Sequence, residues 1–145
     1  MRDNVFIDTN IFIYALTEPK VKNDIYKREI AIDLLQSLIN RKEIFISVQI
    51  INEIHMNMVR KFKIEDSLVF HTLQENILAI ASIKELSYET YKIAFNIRQK
   101  YNISYWDSLV IASAFENRCS ILYSEDMQNG LILEDRLQII NPFSK

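Results

Sequence analysis

The feature that most constrains this chain is a short apolar run followed at once by a carboxylate. Val5, Phe6 and Ile7 are consecutive, which is typical of a strand that is buried on both faces of a parallel sheet. Asp8 follows directly, and an ionised carboxylate in apolar surroundings needs a hydrogen-bonding partner, a metal ion or a shifted pKa. Two roles are therefore open for Asp8. It caps the next helix, or it belongs to a functional site at the carboxyl end of the strand.

Apolar runs alternate with segments of helical periodicity along the rest of the chain. Such runs predict further strands over residues 44–48, 77–83, 120–124 and 137–143. Apolar residues spaced three and four apart predict helices over residues 11–17, 24–40, 49–62, 65–75, 87–101 and 104–117. This alternation favours a parallel sheet with helices on both faces. We therefore predict one α/β domain over residues 1–145, with three α/β/α layers and a central parallel sheet of four to five strands.

Capping residues and apolar faces add detail to this prediction. Asp24 is expected to cap the second helix after an exposed basic loop over residues 20–24, and Ser87 and Ser104 are expected to cap the last two helices. The apolar side of the helix over residues 87–101 is predicted to consist of Tyr91, Ala94, Phe95 and Ile97. These expectations define which surfaces should be covered.

The composition excludes several classes of protein. Gly130 is the only glycine, whereas P-loops and dinucleotide-binding fingerprints need several. Cys119 is the only cysteine and is expected to be a small buried residue, so neither an intrachain disulfide nor a cysteine-based zinc site is expected. The chain contains no apolar run of membrane-spanning length, and its N-terminal residues do not resemble a signal peptide. We expect a cytoplasmic protein with no membrane partner.

Three further acidic residues lie where a parallel sheet would gather them near Asp8. Glu53 is near the start of the helix after the second strand, Asp107 shares the apolar face of its helix, and Asp126 follows the fourth strand. Each has an alternative role. Glu53 would suit the helix macrodipole, Asp107 is spaced from Ser104 as in a capping box, and Asp126 would suit a turn.

Four carboxylates at one edge of a sheet would repel one another. Two unit charges roughly 5 Å apart cost roughly 3 kcal/mol at an effective dielectric of about 20. Some of these acids must therefore be protonated, or a cation must neutralise them. With oxygen ligands only, Mg²⁺ or Mn²⁺ is the expected cation, and metal ions held by carboxylates catalyse phosphodiester hydrolysis.

Four ordered motifs carry a resemblance to a known family. They are IDTN at 7–10, NEI at 52–54, YWDSLVIASA at 105–114 and YSEDMQNG at 123–130. This set resembles the PIN domain and, more narrowly, the VapC-type toxin ribonucleases of bacterial toxin–antitoxin pairs. The resemblance covers nearly the whole chain, including NPF at 141–143. It implies a metal-dependent endoribonuclease of three-layer α/β/α fold.

The resemblance also implies roles for individual residues. The family's four acidic positions, which bind Mg²⁺ or Mn²⁺ and carry catalysis, are matched by Asp8, Glu53, Asp107 and Asp126. Its supporting polar positions are matched by Asn10 and Ser124. The choice of Asp126 over Glu125 rests on the alignment alone. The implied reaction is hydrolysis of RNA by metal-activated water to a 5′-phosphate and a 3′-hydroxyl, and the implied partners are a second copy of the chain and a cognate antitoxin protein.

Other functions are compatible with parts of the sequence. Phosphoryl transfer of the haloacid-dehalogenase type would need a second aspartate where the chain has Asn10. A metal-free ribonuclease would need His55 and His71 as base and acid, but these residues lie on different predicted helices and are expected to be ordinary surface histidines. A non-catalytic PIN-like module that binds RNA or protein, or another metal-dependent phosphoesterase, remains the alternative function.

Overall fold

Residues 3–144 are described by a computed structural model and form six strands and six helices, with a pair of helices after each of the first three strands. The strands are β1 (Asn4–Ile7), β2 (Glu43–Ser47), β3 (Ala81–Lys84), β4 (Ile121–Tyr123), β5 (Ile132–Leu133) and β6 (Leu137–Ile140). The helices are α1 (Thr9–Leu16), α2 (Lys22–Ile39), α3 (Val48–Arg60), α4 (Asp66–Asn76), α5 (Tyr88–Tyr101) and α6 (Tyr105–Glu116). The domain predicted over residues 1–145 also contains Met1, Arg2 and Lys145, which lie outside the described residues.

The strands form one sheet in the order β3-β2-β1-β4-β6-β5. Neighbouring strands are parallel except for β5 and β6, which are antiparallel. The predicted α/β class is confirmed, but the sheet has six strands in the described residues rather than four to five. β5 was missed because two residues are too few to show a strand pattern.

The direction of the crossovers divides the helices into two groups. The chain moves from β1 to β2 to β3 in one direction and then returns across β1 to β4. Because parallel crossovers are right-handed, the helices of the two directions lie on opposite faces of the sheet. The contacts agree with this division, since α1 touches α2 and α3, α3 touches α4, and α5 packs on α6. The three predicted layers are therefore present, with β1 in the centre.

The central strand explains the opening apolar run. Val5, Phe6 and Ile7 are completely buried, because β1 has a parallel neighbour on each side and helices above and below. Burying a large apolar side chain contributes about 1.5–3 kcal/mol, so this strand anchors the core. Its rigid position is what fixes the place of Asp8 at its carboxyl end.

Several predicted boundaries differ from the observed ones, and two of them show the reason. The helix α2 begins at Lys22 and is capped by Val21, so Asp24 lies inside its first turn and the predicted basic loop is partly helical. The third strand begins at Ala81 rather than at residue 77, because Ile77 is the buried C-cap of α4 and its carbonyl accepts the N–H of Ala81. In the first case a polar run continues from a loop into a helix, and in the second an apolar run continues from a helix into a strand.

The predicted serine caps are confirmed. The Ser87 hydroxyl accepts the N–H of Thr90, and the Thr90 hydroxyl accepts the N–H of Ser87, which completes a capping box at the start of α5. The Ser104 hydroxyl accepts the N–H of Asp107 at 3.2 Å and begins α6. Both caps are local in sequence, which is why they were predictable.

The apolar face predicted for α5 was half right. Ala94 and Ile97 are buried, but Tyr91 and Phe95 are 46% and 50% exposed. The packed stripe of α5 is narrower than the apolar stripe of its sequence, so two aromatic rings remain on the surface. Cys119 is buried, as expected.

His55 and His71 were expected to be ordinary surface histidines. His71 is exposed and His55 bonds Asp66 at 2.8 Å. None of the helices within residues 3–144 combines the length and the apolar character needed to cross a membrane.

Candidate active site

The sheet order brings Asp8 next to the end of β4. β1 lies beside β4 at the point where the crossover direction reverses, and such a switch point opens a crevice at the carboxyl ends of the strands. The N–H of Asp8 donates to the carbonyl of Tyr123 at 2.9 Å, and the hydroxyl of Ser124 donates to Asp8 Oδ2 at 2.8 Å. This hydrogen bond joins Asp8 to Ser124, a predicted supporting residue, across 116 positions of sequence.

Asp8 has the capping role, and it lies at the edge where its predicted role in a functional site would place it. Its Oδ1 accepts the N–H of Thr9 at 2.8 Å, so it caps α1, and it is buried at the edge of the sheet. Burial is the main cause that raises the pKa of Asp8 from 3.8 to about 7, and the charges of Glu53 and Asp126 add to it. The bonds from Ser124 and Thr9 act in the opposite direction without offsetting burial.

Glu53 is held by two side chains that the sequence did not single out as site residues. The hydroxyl of Thr9 donates to Glu53 Oε2 at 2.6 Å, and the amide of Gln49 donates to Glu53 Oε1 at 2.9 Å. The same Gln49 Nε2 donates to the carbonyl of Trp106 at 3.3 Å. The spacing of Gln49 four residues before Glu53 was the available signal, whereas the Thr9 contact needed the packing of α1 against α3.

Asp107 lies in the first turn of α6 and is half-buried. Its backbone N–H is bonded by Ser104, which supplies one half of the predicted capping box. Partial burial raises the pKa of its carboxyl, and the charge of Glu53 raises it further, while the bond to Ser104 lowers it. Asp107 is therefore electrostatically coupled to the other acids through Glu53.

The loop after β4 contains two adjacent acids with different surroundings. Glu125 accepts from Lys27 Nζ at 2.5 Å and from the hydroxyl of Tyr14 at 2.9 Å, so its carboxylate is bound to α1 and α2. Asp126 is exposed, and its N–H donates to Ser124 Oγ at 3.2 Å. The amide of Asn10 donates to Glu125 at 3.2 Å and to both oxygens of Asp126 at 3.3 Å.

The electrostatics distinguish Asp126 from Glu125. The pKa of Asp126 is raised mainly by desolvation and further by Glu125, Asp107 and Glu53. Asp126 also raises the pKa of Asp8. Glu125 instead forms an ion pair with Lys27. The two adjacent acids therefore differ in their surroundings, and the choice of Asp126 as the fourth acid stays a prediction.

The donor set fits a hard divalent cation in its chemistry. Within residues 3–144, no three or more His, Cys, Asp and Glu side chains are arranged to hold a metal ion together. Mg²⁺ needs fewer, since it is usually bound by one or two carboxylates and keeps several waters. Burial is the main cause that raises the pKa values of Asp8, Asp107 and Asp126, and nearby carboxylates raise them further. A bound cation would stabilise the ionised forms against both effects. The assignment of the four acids as metal ligands stays a prediction.

Comparisons with known proteins identify the fold. No curated protein sequence matches the chain. The solved structure of Mycobacterium tuberculosis VapC20, a toxin that cleaves the sarcin–ricin loop, is 12% identical with a TM-score of 0.67 over 84% of this chain and 89% of that one. FitAB bound to a DNA fragment is 18% identical with a TM-score of 0.69 over 97% and 96%.

A third structure, a toxin–antitoxin complex from Klebsiella pneumoniae, is 18% identical with a TM-score of 0.66 over 95% of this chain and 97% of that one. At these identities the three structures show a shared fold. The sequence model of the PIN domain matches residues 5–128, the range that contains β1 to β4 and all four predicted acids. The chain therefore belongs to the PIN domain family.

Proposed function

We propose that this chain is a Mg²⁺- or Mn²⁺-dependent endoribonuclease and the toxin of a toxin–antitoxin pair of the VapC type. The observation that carries the proposal is that the first two residues of α1 join three of the acids at the carboxyl edge of the sheet. Thr9 bonds both Asp8 and Glu53, and the amide of Asn10 donates to Asp126. Asp107 is coupled to the same group through Glu53. Carboxyl groups with raised pKa values at the carboxyl edge of a parallel sheet are typical of functional sites, which supports a catalytic use of these acids.

The surrounding residues hold the acids in place. Ser124 and Thr9 fix the two oxygens of Asp8, and Thr9 and Gln49 fix the two oxygens of Glu53. A carboxylate oxygen accepts more than one bond, so both acids keep lone pairs for a metal ion. Thr9 contacts both carboxylates, which makes it a positioning residue for the pair.

A bound divalent cation would supply the Lewis acidity that polarises the phosphodiester and lowers the pKa of an attacking water. Asp8, Glu53, Asp107 and Asp126 are the residues among which it would be held, with one or two of them as direct ligands. Asp126 is the most accessible of the four, and its raised pKa suits it to accept the proton of the attacking water at a carboxylate oxygen. Asn10 Nδ2 keeps this carboxylate directed towards the edge of the sheet.

The structural relatives support the choice of substrate and partner. One is an RNA-cleaving toxin and another is a toxin–antitoxin complex, so we propose an RNA substrate and a cognate antitoxin protein for this chain as well. We also propose a homodimer. The exposed Tyr88, Tyr91 and Phe95 of α5 provide apolar surface that a second copy would cover.

The proposal is tested by cleavage of a labelled structured RNA in Mg²⁺, in Mn²⁺ and in EDTA. Wild type should cleave only with metal, Asp8→Asn should lose cleavage by at least about a hundredfold, and Asp33→Asn, an exposed acid of α2, should behave like wild type. Equal cleavage by wild type and Asp8→Asn, or cleavage in EDTA, would refute the metal mechanism. Binding of RNA without cleavage would indicate a binding module instead, and cleavage of DNA but not RNA would indicate another phosphoesterase.

A further inference from the structure

A cleft opens directly beside Glu53. Its volume is about 800 Å³, within the range of about 300–1,000 Å³ that is typical of small-molecule sites. Three exposed apolar side chains, Val48, Leu86 and Trp106, form much of its lining. Glu53 belongs to both the cleft and the acidic site, so a molecule in the cleft would reach the carboxylates without leaving the protein surface.

Trp106 dominates this lining. Its side chain is 65% exposed although it immediately precedes Asp107 in α6. The ring of Tyr105 meets the indole edge-on, with centroids 5.3 Å apart and an interplanar angle of 76°. Gln49 bonds both the carbonyl of Trp106 and Glu53 Oε1, so the backbone that carries the indole is fixed relative to the acids.

The negative charge of the cleft favours binding of the base of a nucleotide over binding of its phosphate. Its ionisable lining residues, Glu53 and Glu85, are both acidic. A phosphate group placed there would be repelled, whereas an uncharged planar base would cover the indole. Aromatic side chains stack on bases with about 1–3 kcal/mol per base, and unpaired bases are the parts of RNA that proteins read in this way.

We propose that Trp106 and this cleft form a subsite for an unpaired nucleobase of the RNA, next to the nucleotide whose phosphate lies at the acids. This inference rests on the proposed function, since it takes RNA as the substrate. The base stacks on the exposed indole, and Val48 and Leu86 contact its edge. The subsite leaves the neighbouring phosphate outside the cleft, at the acids, where a bound cation would offset the repulsion. It limits cleavage to RNA in which a base can be turned out of a helix.

The test uses the fact that Trp106 is the only tryptophan of the chain. Its emission therefore reports on this cleft alone. The full-length Asp8→Asn protein, which should not cleave, is titrated in Mg²⁺ with a single-stranded adenosine hexamer and with an abasic hexamer of the same phosphate count. The adenosine hexamer should quench the emission, whereas the abasic hexamer should leave it unchanged.

Affinities are then measured by anisotropy of the labelled adenosine hexamer in the same Asp8→Asn background. Trp106→Leu should bind roughly five- to 150-fold more weakly, and Trp106→Phe should lose less because it keeps a ring. Phe70→Leu removes an equally exposed aromatic side chain of α4 that does not line the cleft, and it should bind like its parent. Melting curves confirm that each variant is folded.

Unchanged emission with the adenosine hexamer, or equal affinity of Trp106→Leu and its parent, would overturn the subsite. So would a change of Trp106→Leu from dimer to monomer in sedimentation at unchanged RNA affinity, because the indole would then be a contact between copies. Metal-dependent cleavage by wild type together with equal affinity of Trp106→Leu refutes this inference alone. Base-dependent quenching without any cleavage by wild type refutes the proposed nuclease alone.

Discussion

Replacing Asp8 with asparagine should stabilise the metal-free protein at neutral and alkaline pH. Burial and the neighbouring carboxylates raise the pKa of Asp8 from 3.8 to about 7, which means that the folded protein disfavours the charged form. The difference corresponds to about 4 kcal/mol of unfolding free energy at about 1.36 kcal/mol per pKa unit. Asparagine resembles the protonated carboxyl, since its Oδ1 still accepts from Thr9 and its Nδ2 can donate to Ser124.

The pH dependence gives the sign of this effect. Between about pH 4 and pH 7 the folded state binds more protons at Asp8 than the unfolded state does, so wild type loses stability as the pH rises through this window. The loss is about 2 kcal/mol at pH 5 and is nearly complete at pH 8. Asp8→Asn has no such loss and should therefore exceed wild type by a margin that grows with pH.

Thermal melting in EDTA from pH 5 to pH 8 measures this margin. At about 3 °C per kcal/mol for a chain of this size, Asp8→Asn should melt about 12 °C above wild type at pH 8 and about 5 °C above it at pH 5. Millimolar Mg²⁺ should stabilise wild type and narrow the gap, because the ion binds the ionised acids of the folded state. A constant margin across the pH range, or a variant less stable than wild type at pH 8, would refute the reasoning.

Three further predictions concern the residues around Asp8. Thr9→Val removes the hydroxyl that bonds Glu53 and should lower the cleavage rate by about tenfold or more, whereas Thr9→Ser should keep most of it; equal rates for Val and Ser would contradict the positioning role. Asp126→Asn should abolish metal-dependent cleavage while Glu125→Gln retains it, and the reverse order in a rate assay would make Glu125 the fourth acid. Lys27→Met leaves the half-buried Glu125 without its cation and should lower the free energy of unfolding by about 1–3 kcal/mol in denaturant. The Lys27→Met/Glu125→Gln double variant should recover part of this loss. If the effects of the two single substitutions simply add in the double variant, the two side chains are not coupled.

Local features of this chain were predictable because their causes lie within a few residues. The run Val5 to Ile7 is apolar because both faces of β1 are covered, and that pattern is visible without the fold. The caps at Ser87 and Ser104 depend on residues three positions away. The places of the four acids in the secondary structure were also predictable, because each lies just after a strand or near the start of a helix, within the motifs that resemble the family.

Features that depend on long-range packing needed the tertiary structure. The apolar stripe in the sequence of α5 is wider than the face of this helix that α6 covers. The neighbouring sequence therefore does not indicate that Ala94 is buried whereas Phe95 is exposed. The short antiparallel β5 forms because β6 supplies its hydrogen bonds, which two residues of sequence cannot indicate.

Asp8 shows most clearly the difference between what the sequence determines and what the tertiary structure decides. The sequence by itself determined that Asp8 ends a buried strand and that it is followed by residues suited to begin a helix. Only the tertiary structure decided its partners, because β1 pairs with β4 and brings Ser124 onto its carboxylate from 116 residues away. The same pairing places Glu125 within reach of Lys27 and leaves Asp126 to face the acids. The type of each side chain is given by the sequence, whereas its burial, its charged neighbours and its pKa depend on which residues the fold places next to it.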